Sequence, residues 1–214
     1  MRLKFDEQLR QLNIEMTNMG TMIQEAIQQA INAFLTQNVE LAKKIMEEDE
    51  QIDHEQKQIE SICLNLLIQQ QPVARDLRNI TAALKMVTDM ERIGDHAADI
   101  SEITVASADT PYKFNTELLK KMAAETIIML LHAIEAYVEK DMVKAQEVIA
   151  HDDIVDELFL EVKKELVDLM KSNPDYEEHA ADMLMVDKYL ERIGDHATNI
   201  AEWVIFSING VLEL

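Results

Sequence analysis

One stretch of seven residues occurs twice. Glu91-Arg92-Ile93-Gly94-Asp95-His96-Ala97 returns letter for letter as Glu191-Arg192-Ile193-Gly194-Asp195-His196-Ala197. Seven consecutive identities 100 residues apart mark an internal duplication, so each half of the chain must be a copy of one structural unit. Flanking matches run at another offset: Met19 falls on Met122, Asp53 on Asp156 and Leu66 on Leu169, at a shift of 103. The difference places a length change in the turn before each motif-bearing segment, where loops tolerate one.

The unit reads as three helices. Leu9, Leu12, Met16, Met19, Ile23, Ala26 and Ala30 recur at alternating spacings of three and four, predicting a helix from near Phe5 to about Leu35. Thr36-Gln37-Asn38 forms a polar turn. A second periodic segment carries Leu41, Ile45, Ile52, Ile59, Cys63 and Leu66 and stops at Gln69-Gln70-Gln71-Pro72. A third helix runs from Ala74 to about Ser107, with Gly94 letting a neighbouring helix approach closely. Ala108-Asp109-Thr110-Pro111 is the linker, because Asp, Thr and Pro favour turns and Pro cannot continue a helix.

The same plan then restarts, with helices over about Asn115–Glu139, Met142–Lys171 and Tyr176–Val211 and a turn at Ser172-Asn173-Pro174. Four Gly, three Pro and 5% aromatics in 214 residues suit little else than helix. The expected fold is all-α: two tandem antiparallel three-helix bundles of long, spectrin-repeat-like helices, over residues 1–108 and 112–214.

Forty-one acidic against twenty basic residues give a formal charge of -21, which repels nucleic acid and bare anionic membrane and directs the chain to cations or basic protein surfaces. The single Cys63 excludes an internal disulfide and suits a reducing compartment. It sits on an apolar stripe, as a buried structural thiol would. No apolar run reaches the roughly 20 residues of a membrane span, and the first residues lack a signal-peptide core, so a soluble protein without membrane insertion is expected.

The chemistry lies in the carboxylates. Glu91, Asp95 and Asp99 succeed one another at i,i+4 on the third helix, and Glu191, Asp195 and Asn199 repeat the ladder with an amide as the last rung. Asp49 with Asp53, and Asp152 with Asp156, do the same on the second helices. Alone this says little, since with 41 acids about eight such pairs arise by chance.

Register makes it informative. In an antiparallel hairpin, residues at equal height have a constant sum of numbers. The pairs Asp53/Glu91 and Asp49/Asp95 both sum to 144, whose half is the turn residue Pro72. Asp156/Glu191 and Asp152/Asp195 both sum to 347, and the midpoint falls between Asn173 and Pro174. Each repeat thus sets at least four carboxylates at one level across two helices, where they repel unless a cation compensates them. All-oxygen donors suit magnesium, calcium, manganese and ferric iron, and zinc also accepts them.

The competing view makes the ladder an outer charged face, since it lies opposite the stripe of Met86, Met90, Ile93, Ala97 and Ile100. That side of the helix is shared, however, with Leu77, Ile80, Leu84 and Val87. His96 and His196, one residue round from the aspartates, fit a supporting role better than direct ligation. Arg92 and Arg192 fit pairing with nearby acids, and the 13 methionines fit gap-filling in a bundle core. No glycine-rich phosphate loop is present, and no acid stands three residues before any of the six histidines, as a ferritin-like oxidase would need. The expectation is a non-catalytic protein; a carboxylate-bridged metalloenzyme and a metal-free helical scaffold are the competing readings.

At these residues the sequence resembles the PhoU family, accessory and regulatory proteins of bacterial phosphate transport. The likeness spans the chain. It includes Met1-Arg2, Phe5-Asp6-Glu7-Gln8-Leu9, Met19-Gly20, Pro72-Val73-Ala74-Arg75-Asp76-Leu77-Arg78 and both copies of the repeated motif. The resemblance implies multinuclear metal clusters, iron or zinc foremost and manganese or magnesium next, on ExxxD or DxxxD motifs. Asp49, Asp53, Glu91, Asp95 and Asp99 would serve the first site, and Asp152, Asp156, Glu191, Asp195 and Asn199 the second. Asn199 departs from the acidic pattern of Asp99. The resemblance further implies a cytoplasmic homodimer at the inner membrane face, coupling a phosphate ABC transporter to a sensor histidine kinase as a negative regulator that restrains phosphate uptake.

Overall fold

A computed structural model describes residues 2–70, 72–107, 116–173 and 177–211. Among them every regular element is an α-helix: α1 (Arg2–Thr36), α2 (Val39–Gln70), α3 (Ala74–Ala106), α4 (Glu117–Glu139), α5 (Met142–Ser172) and α6 (Glu177–Asn209). The expected linker 108–111, the start of the fourth helix at Asn115, Pro174 and Tyr176 lie outside the described residues.

The helix ends follow from local chemistry. α1 and α4 close in the same way 103 residues apart. Gln37 and Lys140 take left-handed conformations (φ 52° and 58°), and the next amides, of Asn38 and Asp141, donate to Ala33 O and Ala136 O, each at 2.9 Å. Asn38 Oδ1 then accepts from the Leu41 amide at 3.0 Å, and Asp141 Oδ1 caps α5 by accepting from Val143 N and Lys144 N at 2.9 and 3.1 Å. The sixth helix stops two residues before the expected Val211, at Asn209. Gly210, at φ 79°, supplies the left-handed residue that ends it.

α1–α3 form one three-helix bundle and α4–α6 the other, and α3 packs on α6 while α1 packs on α4. The apolar stripes of both repeats therefore merge in one continuous core that includes Phe34, Leu66, Met86, Met122, Leu130 and Leu190. Two contacts explain the join. Gly20 faces Ile134 so closely that a Cβ there would strike its Cδ1, so the glycine admits α4 against α1. Tyr137, completely buried, donates its hydroxyl to the Asn79 carbonyl at 3.3 Å, linking α4 to α3.

Methionines 16, 19, 86, 90, 122 and 129 are fully buried, as gap-fillers should be. Cys63 is also buried, and burial pushes its thiol up to about 12, so it is an inert core residue. No helix among the described residues is long and apolar enough to cross a membrane.

Candidate metal centres

α2 and α3 bring Asp53, Glu91 and Asp95 together, with one carboxylate oxygen of each within 4.8 Å of the others. All three are partly buried. Asp49 completes the group from one turn earlier on α2. Its Oδ1 lies over Gly94, where a Cβ would come within 3.5 Å of it, while Ile52 presses on the same position at 3.0 Å. The glycine is thus the gap through which α2 sets Asp49 against the motif.

Crowding shows in the acidities. Burial first, then the charges of Asp95, Asp53, Glu91 and Asp99, push the Asp49 carboxyl up to about 6. Glu91 is raised by burial and by Asp95, against the opposing pull of Arg92. Arg92 Nη1 donates to Asp95 Oδ2 at 3.0 Å and its Nε lies 3.6 Å from Glu91 Oε2, the acid pairing its position suggests. Lys57 Nζ, 3.9 Å from Asp53 Oδ2, is a second and looser cation, so the two together leave Asp49 without a direct partner among four neighbouring acids.

The second site repeats the aspartate-over-glycine contact between α5 and α6, but among the described residues no three of its carboxylates come within 4.8 Å of one another. Asp152 Oδ1 lies over Gly194, 3.1 Å from where a Cβ would be, with Val155 beside it. Burial and the charges of Asp156, Asp195 and Glu191 push Asp152 up to about 6. Asp195 is raised by burial and by Glu191. Lys188 forms an ion pair with Glu191, in the compensating role that Arg92 has in the first site. Asp156 and Asp195 are exposed where Asp53 and Asp95 are half-buried, so this site is the more open.

The last rungs diverge. Asp99 pairs with His96 Nδ1 at 3.1 Å yet still adds its charge to Asp49. Asn199 turns away from its own site, and its Nδ2 donates to Asp89 Oδ1 on α3 at 3.3 Å. His196 Nδ1 lies 2.8 Å from the same Asp89 oxygen. His96 in turn lies 5.3 Å from the Tyr189 ring and 5.6 Å from the His196 ring, centroid to centroid. The two histidines therefore belong to the seam between repeats, next to the aspartates but facing the other bundle.

Asp89 and Tyr189, which hold that seam, were not among the expected functional residues. They occupy equivalent positions 100 residues apart, and only the packing of α3 on α6 gives them a role. Asp187 was missed as well. It is a fully buried acid one turn before Glu191.

The molecule thus defines a class: a duplicated all-α protein in which each three-helix bundle carries a carboxylate cluster across its second and third helices. The model of the PhoU domain matches residues 16–104 and again 119–204. The chain belongs to the PhoU family. A relative from Clostridium acetobutylicum named "Phosphate-specific transport system accessory protein PhoU homolog" is 37% identical over 96% of this chain and 94% of its own. One of the same name from Deinococcus radiodurans is 30% identical over the full length of both. Crystal structures of PhoU from Pseudomonas aeruginosa (TM-score 0.90, 29% identity, 97% of this chain and 100% of that one) and Streptococcus pneumoniae (0.88, 27%, 98% and 99%) share the fold.

Proposed function

We propose that this protein is a metal-binding, non-catalytic accessory protein of a phosphate transport system that regulates phosphate uptake and phosphate-responsive signalling. The relatives' shared name supports the transport role. The observation that carries the metal reading is the paired geometry of Asp49 over Gly94 and Asp152 over Gly194, each facing a ladder of acids on the next helix. Carboxylates set against a half-buried aspartate repel it, and a cation removes that cost.

The donor set fits the metals expected of the family. Asp49, Asp53, Glu91, Asp95 and Asp99 would hold ions in the first site, and Asp152, Asp156, Glu191 and Asp195 in the second. Bound ions would supply the positive charge that ties α2 to α3 and α5 to α6. The residues themselves offer oxygen only, which favours iron, manganese or magnesium and admits zinc.

In this reading the acidic surface docks on basic cytoplasmic loops of the transporter and on a sensor histidine kinase, holding uptake and starvation signalling down when phosphate is plentiful. A homodimer located in the cytoplasm belongs to the same proposal. Elemental analysis of the purified full chain, with and without Asp49→Asn and Asp152→Asn, tests the metal half: metal retained by the unaltered chain and lost from the variant supports it. Deleting the gene tests the other half. Unchanged phosphate uptake and starvation-gene expression would refute the regulatory role.

A further inference from the structure

α6 carries one acid more than the repeated motif accounts for. Asp187 is completely buried, and neither of its carboxylate oxygens has a hydrogen-bond partner among the described residues. A buried carboxylate in that state is costly, and proteins keep one where it is paired or coordinates a metal. It stands four residues before Glu191, hence on the same side of the helix one turn below. Glu191 is the acid whose charge bears on it, and Lys188, which pairs with Glu191, is the opposing cation.

The first repeat supplies an internal comparison. Its equivalent residue, 100 positions earlier, is Val87, also completely buried. An apolar side chain therefore satisfies this position in the bundle, and packing does not ask for an acid. The two ladders explain the exchange. α3 offers Glu91, Asp95 and Asp99, with Asp99 adding its charge to Asp49. In α6 the last rung is Asn199, which is turned across the seam to Asp89. Counting from Asp187, α6 again has three carboxylates in i,i+4 succession: Asp187, Glu191 and Asp195.

We infer that Asp187 is a metal-binding carboxylate of the second site, taking the place of the acid absent at Asn199, so that this site binds its divalent cation one helical turn nearer the start of α6. The inference rests on the metal reading given above. It makes the two sites unequal by construction. The first has its third rung in the half-exposed Asp99, the second in a residue closed off from water.

The test uses the full chain with the first site silenced by Asp53→Asn and Asp95→Asn. Manganese or zinc is titrated against a chromophoric chelator, and thermal unfolding is followed by circular dichroism. Asp187→Val, which installs the first repeat's side chain, and Asp187→Asn, which keeps the shape, should each weaken binding at least about tenfold, since even groups that only support a metal ligand are worth that much. Asp187→Val should also raise the melting temperature of the metal-free chain while shrinking the further rise that metal produces. Glu191→Gln is the control for the second site. Weakened binding in Glu191→Gln with unchanged affinity in both Asp187 variants overturns this inference alone. No binding by the unaltered chain overturns the metal reading and this inference together.

Discussion

Asp152 reaches across Gly194, its Oδ1 only 3.1 Å from where a Cβ on that residue would stand. Gly94 differs, because there the nearest obstacle is Ile52, a buried branched side chain at 3.0 Å, with Asp49 farther off. Replacing either glycine with alanine gains about 1 kcal/mol of helix propensity. At Gly94 overpacking against Ile52 outweighs it, and Gly94→Ala should lose about 1 kcal/mol net. At Gly194 the aspartate can swing aside while buried Val155, its Cγ1 at 3.3 Å, must give slightly, so the propensity gain is offset and Gly194→Ala should stay within about 0.5 kcal/mol of the unaltered chain while weakening metal retention. Urea unfolding of the metal-free proteins measures both.

Acid should stabilise the metal-free protein. Asp49 and Asp152 are raised from 3.8 to about 6, and Asp187 from 3.8 to about 8. Between those values these three groups bind more protons in the folded chain than in the unfolded one, against the opposite pull of His96, lowered by burial, so stability falls as pH rises. Self-repulsion of a chain at -21 acts in the same direction. The melting temperature without metal should be higher at pH 5 than at pH 8, and a rise over that interval would contradict the electrostatic account of the clusters.

Neutralising a crowded aspartate should separate stability from binding. Asp49→Asn and Asp152→Asn each remove a like charge from a cluster and should stabilise the metal-free chain by roughly 0.5 kcal/mol. With manganese or zinc added, the order should reverse, because the variants forgo the stabilisation that bound metal gives the native state. Thermal melts with and without metal read both effects.

The seam has its own test. Asp89 is only 17% exposed at its side chain and faces both His196 and Asn199. Asp89→Ala leaves part-buried His196 Nδ1 without this partner, while exposed Asn199 can turn to water, and should cost about 1 kcal/mol. A double-mutant cycle with His196→Ala should recover most of that loss as coupling; independent effects would show that the two residues do not act on each other.

Much of this was legible in sequence because helices encode their contacts locally. Spacings of three and four located six helices to within a few residues, and the sums about Pro72 and Asn173 set acids on neighbouring helices at one level. Gly94 was read correctly as a point of close approach. α6 ends before Val211 because Gly210 takes the left-handed conformation, a stop that apolar periodicity does not mark. The seam was invisible for a different reason: the pairing of Asp89 with His196 joins elements from separate repeats, and no short period records how two bundles dock. Asp187 escaped because the ladders start from the repeated motif, and one turn before that motif the first repeat has Val87, so the duplication does not point to an acid there.

Packing α3 on α6 and α1 on α4 also makes each half of the chain depend on the other. A half-chain cut at the linker would carry His96 without Tyr189 opposite it and Gly20 with no Ile134 to receive, and its exposed flank would seek a second half to cover it. In the doubled chain each copy is the other's solvent shield.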